Sequence, residues 1–218
     1  MRNTVKFIII MFIGVFVLGV LMYFVYVRGA FVRPKISPVV SVRVGKKLYT
    51  ALWVVKKPMP PARSEVAVAA VDGRIVVIGG LDGFGRTLAT VEAYDPMTDT
   101  WERLPDLPQG RHHPAATVVD GMLYVIGGMS GLSFTPQAEV YSYSPQAKEW
   151  ISHALLPSPR GAAAATALNR KIYVIGGVGI NGVTNELAVF DPGTDWWETR
   201  KPSPTKREHL AAVGLSDR

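Results

Sequence analysis

Apolar positions follow two patterns along the chain. Residues 7–27 read FIIIMFIGVFVLGVLMYFVYV, an unbroken run of 21 residues without a charge. At about 1.5 Å rise per residue, a helix of that length covers roughly the 30 Å hydrocarbon core of a bilayer, so the run predicts a membrane-spanning helix. A cleaved signal peptide would carry a shorter apolar stretch and small residues before the cut, whereas this run ends in Arg28-Gly29-Ala30-Phe31-Val32-Arg33; the expectation is a retained anchor. Further along, apolar residues come in short β-rich runs separated by turn dipeptides. After Arg63, residues 66–71 lead through Asp72-Gly73 into residues 74–78, which end in Gly79-Gly80. That is the signature of two strands joined by a tight hairpin. A third strand is predicted from about Thr90 to Tyr94, a turn at Asp95-Pro96, and a fourth strand from Trp101, closed by Pro105 and Pro108.

This unit recurs. Arg63, Arg111 and Arg160 are each followed sixteen residues later by the first glycine of a pair, Gly79-Gly80, Gly127-Gly128 and Gly176-Gly177. Trp53, Trp101, Trp150 and Trp197 precede Arg63, Arg111, Arg160 and Arg207 by ten residues, and Asp95, Ser144 and Asp191, each followed by proline, precede the last three tryptophans by six. The period is 47–49 residues. Four short antiparallel strands per period, with no helical periodicity between them, describe an all-β chain built from propeller blades. The expected divisions are an N-terminal tail 1–6, the helix 7–27, a basic juxtamembrane linker 28–42, and repeats over 43–218. Within the repeats they are a partial blade 43–62, full blades 63–110, 111–159 and 160–206, and a partial first strand 207–215.

The paired glycines, the aromatic before Asp/Ser-Pro (Tyr94, Tyr143, Phe190) and the Trp six residues beyond resemble kelch repeats, from roughly Arg43 to Leu215. The resemblance implies a kelch-type β-propeller with three full four-stranded blades and parts of a fourth. The repeated residues then read as scaffold: glycines where a Cβ would crowd the neighbouring chain, aromatics filling the wedge between blades. Because such a set is incomplete as a ring, three arrangements are expected: a truncated copy of a longer protein, a homo-oligomer completing the propeller between chains, or an imperfect four-bladed ring.

Strands alternate direction, so the loops between strands two and three share a face with the connections between repeats, and the resemblance implies that partners bind there. Candidates on that face are Asp82, Phe84 and Arg86 in loop 81–89, Ser130 and Phe134 in loop 129–137, and Asn181 in loop 178–184. Two residues after each repeat arginine stand Glu65, His113, Ala162 and His209, variable chemistry at equivalent positions. The arginines themselves are expected to make structural bonds. His112 and His113, adjacent in an extended run, are expected to point to opposite faces; His113 and His209 converge only if their blades are neighbours around a narrow centre. No metal, cofactor or catalytic constellation is expected. Among enzymes that share kelch propellers, the copper oxidase needs a crosslinked cysteine that this chain lacks, and a sialic-acid epimerase type of activity would have to use Glu65 with a repeat arginine or histidine.

Charge sharpens the reading. The formal +7 of this 218-residue chain divides into eleven Lys/Arg and no acid over residues 1–64, and thirteen Lys/Arg against seventeen Asp/Glu over residues 65–218. The repeats are mildly acidic, which argues against nucleic acid as partner, and the basic residues flank the apolar run, as at a membrane. Arg28, Arg33, Lys35, Arg43, Lys46 and Lys47 outnumber Arg2 and Lys6, a bias toward a cytoplasmic repeat region that leaves the side open. The functional expectation is a single-pass, membrane-tethered binding module presenting variable loops to a protein or glycan partner.

Overall fold

The structure, a computed structural model, describes residues 39–44, 46–52 and 54–215. The expected membrane helix 7–27, its tail and most of the linker lie outside the described residues. Among the described residues no helix is long and apolar enough to cross a membrane, and every regular element is a strand. The chain divides into two units at Val55. In the first, β1 (Val39–Val44) and β2 (Lys47–Leu52) form an antiparallel hairpin.

The second unit holds three four-stranded antiparallel sheets. The first sheet is β3 (Ala67–Val71), β4 (Arg74–Ile78), β5 (Val91–Asp95) and β6 (Thr100–Leu104). The second is β7 (Ala115–Val119), β8 (Met122–Ile126), β11 (Val140–Ser144) and β12 (Glu149–Ser152), with β9 (Met129–Ser130) and β10 (Thr135–Pro136) as a small ribbon in its loop. The third is β13 (Ala164–Leu168), β14 (Lys171–Ile175), β17 (Leu187–Asp191) and β18 (Trp196–Arg200), with β15 (Val178–Gly179) and β16 (Gly182–Val183) in the same role. In each sheet the strands lie side by side in chain order, as successive hairpins require.

The core sits between sheets. Along β8, Leu123 and Val125 join the apolar cluster shared with the first sheet, while Tyr124 and Ile126 join the one shared with the third. The middle sheet is therefore buried on both faces, which is why its central strand reads as a continuous apolar run rather than an alternation. Each Asp/Ser-Pro turn brings the aromatic of strand three opposite the Trp of strand four: Tyr94 with Trp101, Tyr143 with Trp150, Phe190 with Trp197, at centroid distances of 5.1, 5.0 and 4.9 Å. Each indole Nε1 then donates to a carbonyl 43–45 residues earlier, of Lys57, Pro105 and Ala154, so one side chain joins two repeats.

The glycine pairs do the same at the other end. Their φ values are +63 and +106, +57 and +106, and +62 and +104, and a Cβ on the first glycine would lie 2.2–2.5 Å from the carbonyl of the next repeat's arginine. The second glycine's N–H donates to that same carbonyl, Arg111, Arg160 or Arg207, at 2.8–3.0 Å. Only glycine allows both the backbone conformation and the approach. Residues 207–215, expected as a first strand, form no strand; they run beside β13, held by Gly177 N–H to the Arg207 carbonyl and His209 N–H to the Ala162 carbonyl. Among the described residues no following strand pairs with them, and a lone segment has no ladder to join.

Candidate functional site

The connections between sheets start from anchored arginines. Arg111 is fully buried and donates to the carbonyls of Gly127 at 2.8 Å and Glu139 at 3.2 Å, with its guanidinium 5.0 Å from the Tyr141 ring centre. Arg160, also buried, reaches the Val174 carbonyl at 3.3 Å and the Glu186 carboxylate at 3.2 Å. Arg63 pairs with the buried Glu92 carboxylate and the Val77 carbonyl. Burial pulls Arg111 and Arg160 below the ordinary guanidinium value, partly offset by Glu139 and Glu186. These bonds satisfy the expectation of structural bonds for Arg63, Arg111 and Arg160, where they fix the backbone two residues before the variable position, whereas Arg207 is exposed and donates to the Thr205 hydroxyl at 2.8 Å.

There the four connections share one conformation. Glu65, His113, Ala162 and His209 have φ of +55, +54, +53 and +48, the left-handed region that non-glycine residues enter at a cost. The N–H of His113 donates to the Glu65 carbonyl, that of Ala162 to His113, and that of His209 to Ala162, at 2.8–2.9 Å, so the four positions form a continuous hydrogen-bonded arc. The fixed φ and the arc bring three of the side chains together. Glu65 Oε2 lies 3.0 Å from His113 Nε2 and 3.8 Å from His209 Nε2, and the two imidazoles stand edge to face at 5.0 Å. These three, with one ligand atom each inside a 4.8 Å span, are the described residues placed to hold a metal ion.

A second layer backs them. His112 does not point away from His113: their Nδ1 atoms are 2.6 Å apart and their rings 4.9 Å. The period-two expectation fails here because a residue at φ +54 breaks strand alternation. Buried His112 also sets its Nε2 3.3 Å from the Gly131 carbonyl, and His209 sets Nδ1 on the Glu208 carboxylate. Burial pushes both His112 and His113 below the ordinary imidazole value; Glu65 opposes this for each. Phe134, expected as a loop-face side chain, is only half exposed and packs its ring 4.7 Å from His112 and 5.6 Å from His113.

The remaining candidates stay in their loops. Asp82 accepts from the backbone of Phe84 and Arg86 and pairs with the Arg86 side chain, closing loop 81–89 on itself; the Arg86 backbone N–H is the main cause that lowers its pKa. Ser130 accepts from Gln137, and Asn181 lies exposed at a separate loop tip. All three loops have identical bases, closed by Leu88 N–H to Gly80, Gln137 N–H to Gly128 and Thr184 N–H to Gly177, each at 2.9 Å. Their tips carry exposed apolar residues: Phe84 at 84%, Leu132 at 79% and Ile180 at 91%. A groove of about 530 Å³ runs between the second and third loops, lined by Met129, Phe134, Pro136, Ile180, Glu208 and His209.

Sequence reasoning missed His112 and Glu208 as members of the cluster, Leu132 and Ile180 as loop tips, and the arginine partners Glu92, Glu139 and Glu186. A signal existed for two of these glutamates: Glu139 and Glu186 each stand four residues before the strand-three aromatic, whereas Glu92 stands two before it.

Family models of the kelch motif match residues 62–108, 110–152 and 159–204, together more than half of the chain. The kelch-like protein terF of Aspergillus terreus is 42% identical over 62 residues, covering 27% of this chain and 14% of that protein. Beta-scruin of Limulus polyphemus is 42% identical over 52 residues, 24% of this chain and 6% of its own length. The matched stretches thus span a small part of either relative.

Proposed function

The chain belongs to the kelch-repeat family, and from that premise we propose that it is a protein-binding module whose three sheets form a sector of a β-propeller, tethered to a membrane by residues 7–27. The observation that carries the binding reading is the set of equivalent loops: the same hydrogen bonds close each base, yet each tip exposes a large apolar side chain, Phe84, Leu132 or Ile180. A rigid base with apolar tips lowers the ordering cost of binding and supplies the area that anchors a partner. Of the two partner classes that the sequence leaves open, exposed Phe, Leu and Ile beside an apolar groove favour an extended protein segment over a glycan.

Selection of displayed peptides on the full chain in mild detergent tests this reading. Enriched peptides should bind the parent chain and lose binding to the triple variant Phe84→Ser, Leu132→Ser, Ile180→Ser. They should keep it in Trp196→Ala, which removes an exposed apolar residue from the outer strand β18. Equal binding by both variants would overturn the loop-face reading. For the tether, the expectation is that the chain stays with membranes through alkaline carbonate; release would overturn it.

A further inference from the structure

The hydrogen-bond partners around the arc determine where the imidazole protons sit. The Gly131 carbonyl can only accept, so His112 carries its proton on Nε2 and offers a lone pair at Nδ1. His113 Nδ1, 2.6 Å away, must then be the donor, which leaves the Nε2 lone pair of a neutral His113 facing Glu65 Oε2 at 3.0 Å. His209 donates from Nδ1 to the Glu208 carboxylate and likewise turns a lone pair at Nε2 toward Glu65, at 3.8 Å. With both rings neutral, three acceptors converge, and a cation at their focus, a shared proton or a metal ion, relieves their repulsion.

We propose that Glu65, His113 and His209 hold a divalent first-row transition ion of the Zn²⁺ class, through one carboxylate oxygen and two imidazole Nε2 atoms, with a further coordination position open. Metal–ligand bonds of about 2.0–2.2 Å at tetrahedral angles set ligand atoms roughly 3.3 Å apart. The separations of 3.0 and 3.8 Å from the Glu65 oxygen bracket that spacing, and all three ligand atoms lie within 4.8 Å of one another. Two imidazoles with one carboxylate select such ions over Ca²⁺ or Mg²⁺, which take oxygen ligands. Both histidines have the outer partner that orients a ligating imidazole, Glu208 for His209 and the His112–Gly131 chain for His113. The remaining position of the arc, between His113 and His209, is Ala162, whose methyl supplies no ligand and leaves space for water or for a carboxylate or imidazole brought by another molecule. The site stands independently of the apolar loop tips, and its probe is the metal alone.

The test uses the full chain in mild detergent, prepared without a polyhistidine tag and stripped with chelator. Zn²⁺ titration by calorimetry should give one ion per chain, and Co²⁺ should develop the visible bands of a low-coordinate nitrogen–oxygen site that Zn²⁺ then removes. Glu208→Gln should weaken binding by about 10–100-fold, and Glu65→Gln or His209→Ala by more. His153→Gln, which removes a carboxylate-paired histidine outside the arc, should leave it unchanged. Circular dichroism confirms that each variant is folded, and Zn²⁺ should raise the Tm of the parent but not of His209→Ala. Absence of stoichiometric binding, or binding that Glu65→Gln and His209→Ala leave intact, would overturn the proposal.

Discussion

At the outer edge of each sheet, Trp101, Trp150 and Trp197 repeat one arrangement to within a few tenths of an ångström: a cross-strand aromatic partner about 5 Å away and an indole bond to a carbonyl of an earlier repeat. In the connections, Glu65, His113, Ala162 and His209 repeat a backbone with equal fidelity, yet an acid, two imidazoles and a methyl occupy it. Both regions are repeats, but the first repeats its side chains and the second only its conformation. A packing wedge needs one shape at every turn, so side-chain identity is tied to stability there. The arc needs only the left-handed φ and the hydrogen bonds, which leaves its side chains free to carry chemistry.

Substitution should separate the regions by the size of the folding effect. Trp150→Ala opens a gap between the first and second sheets and breaks the bond to Pro105, and should cost roughly 3–5 kcal/mol in urea unfolding. A loss below about 1 kcal/mol would break the distinction. Gly127→Ala should also destabilise strongly, since its Cβ would fall 2.4 Å from the Arg160 carbonyl at a φ of +57. In the arc of the metal-free chain, His209→Ala and Glu65→Gln should change unfolding by no more than about 0.5 kcal/mol, as at surface positions, while weakening Zn²⁺ binding.

The smallest effect concerns the turns. Asp95 and Asp191 cap their turns through backbone N–H groups, while the equivalent residue of the middle sheet is Ser144. For Asp95 the Met97 N–H, and for Asp191 Lys171 and then the Gly193 N–H, hold the carboxyl below its ordinary 3.8. A depressed folded value contributes stability that is present above the ordinary pKa and lost as pH falls through the lower one. Tm should therefore fall between about pH 5 and pH 3, and the double variant Asp95→Ser, Asp191→Ser should fall less over that window. An identical slope would show that the acid sensitivity lies elsewhere.

The fixed offsets made the sheets legible: the Asp/Ser-Pro turn, the aromatic before it, the Trp after it and the glycine pair each act within one hairpin or against the next, identical repeat. The arc was legible as four equivalent positions, but the expectation that His113 meets His209 only if their blades are neighbours fails: the repeat of Ala162 lies between them, and the two rings meet at 5.0 Å because the small Ala162 side chain leaves the space between them free. The His112–His113 contact was misread because alternation assumes extended backbone, and a positive φ at a non-glycine residue leaves no mark in the residue type. The arginine partners were overlooked because they lie 26–29 residues from their arginines, across a loop whose length varies from repeat to repeat.

What the sequence by itself determined is the repeating unit, because strand period, turn residues and hairpin partners act over a few residues and recur every 47–49. The tertiary structure decided that positions one repeat apart become hydrogen-bonded neighbours and that Glu65, His113 and His209, spread over three connections, share one focus. The physical reason is that sheet-to-sheet packing depends on the summed fit of buried side chains such as Tyr94, Tyr143 and Phe190, and the angle that fit produces is a property of the assembled faces.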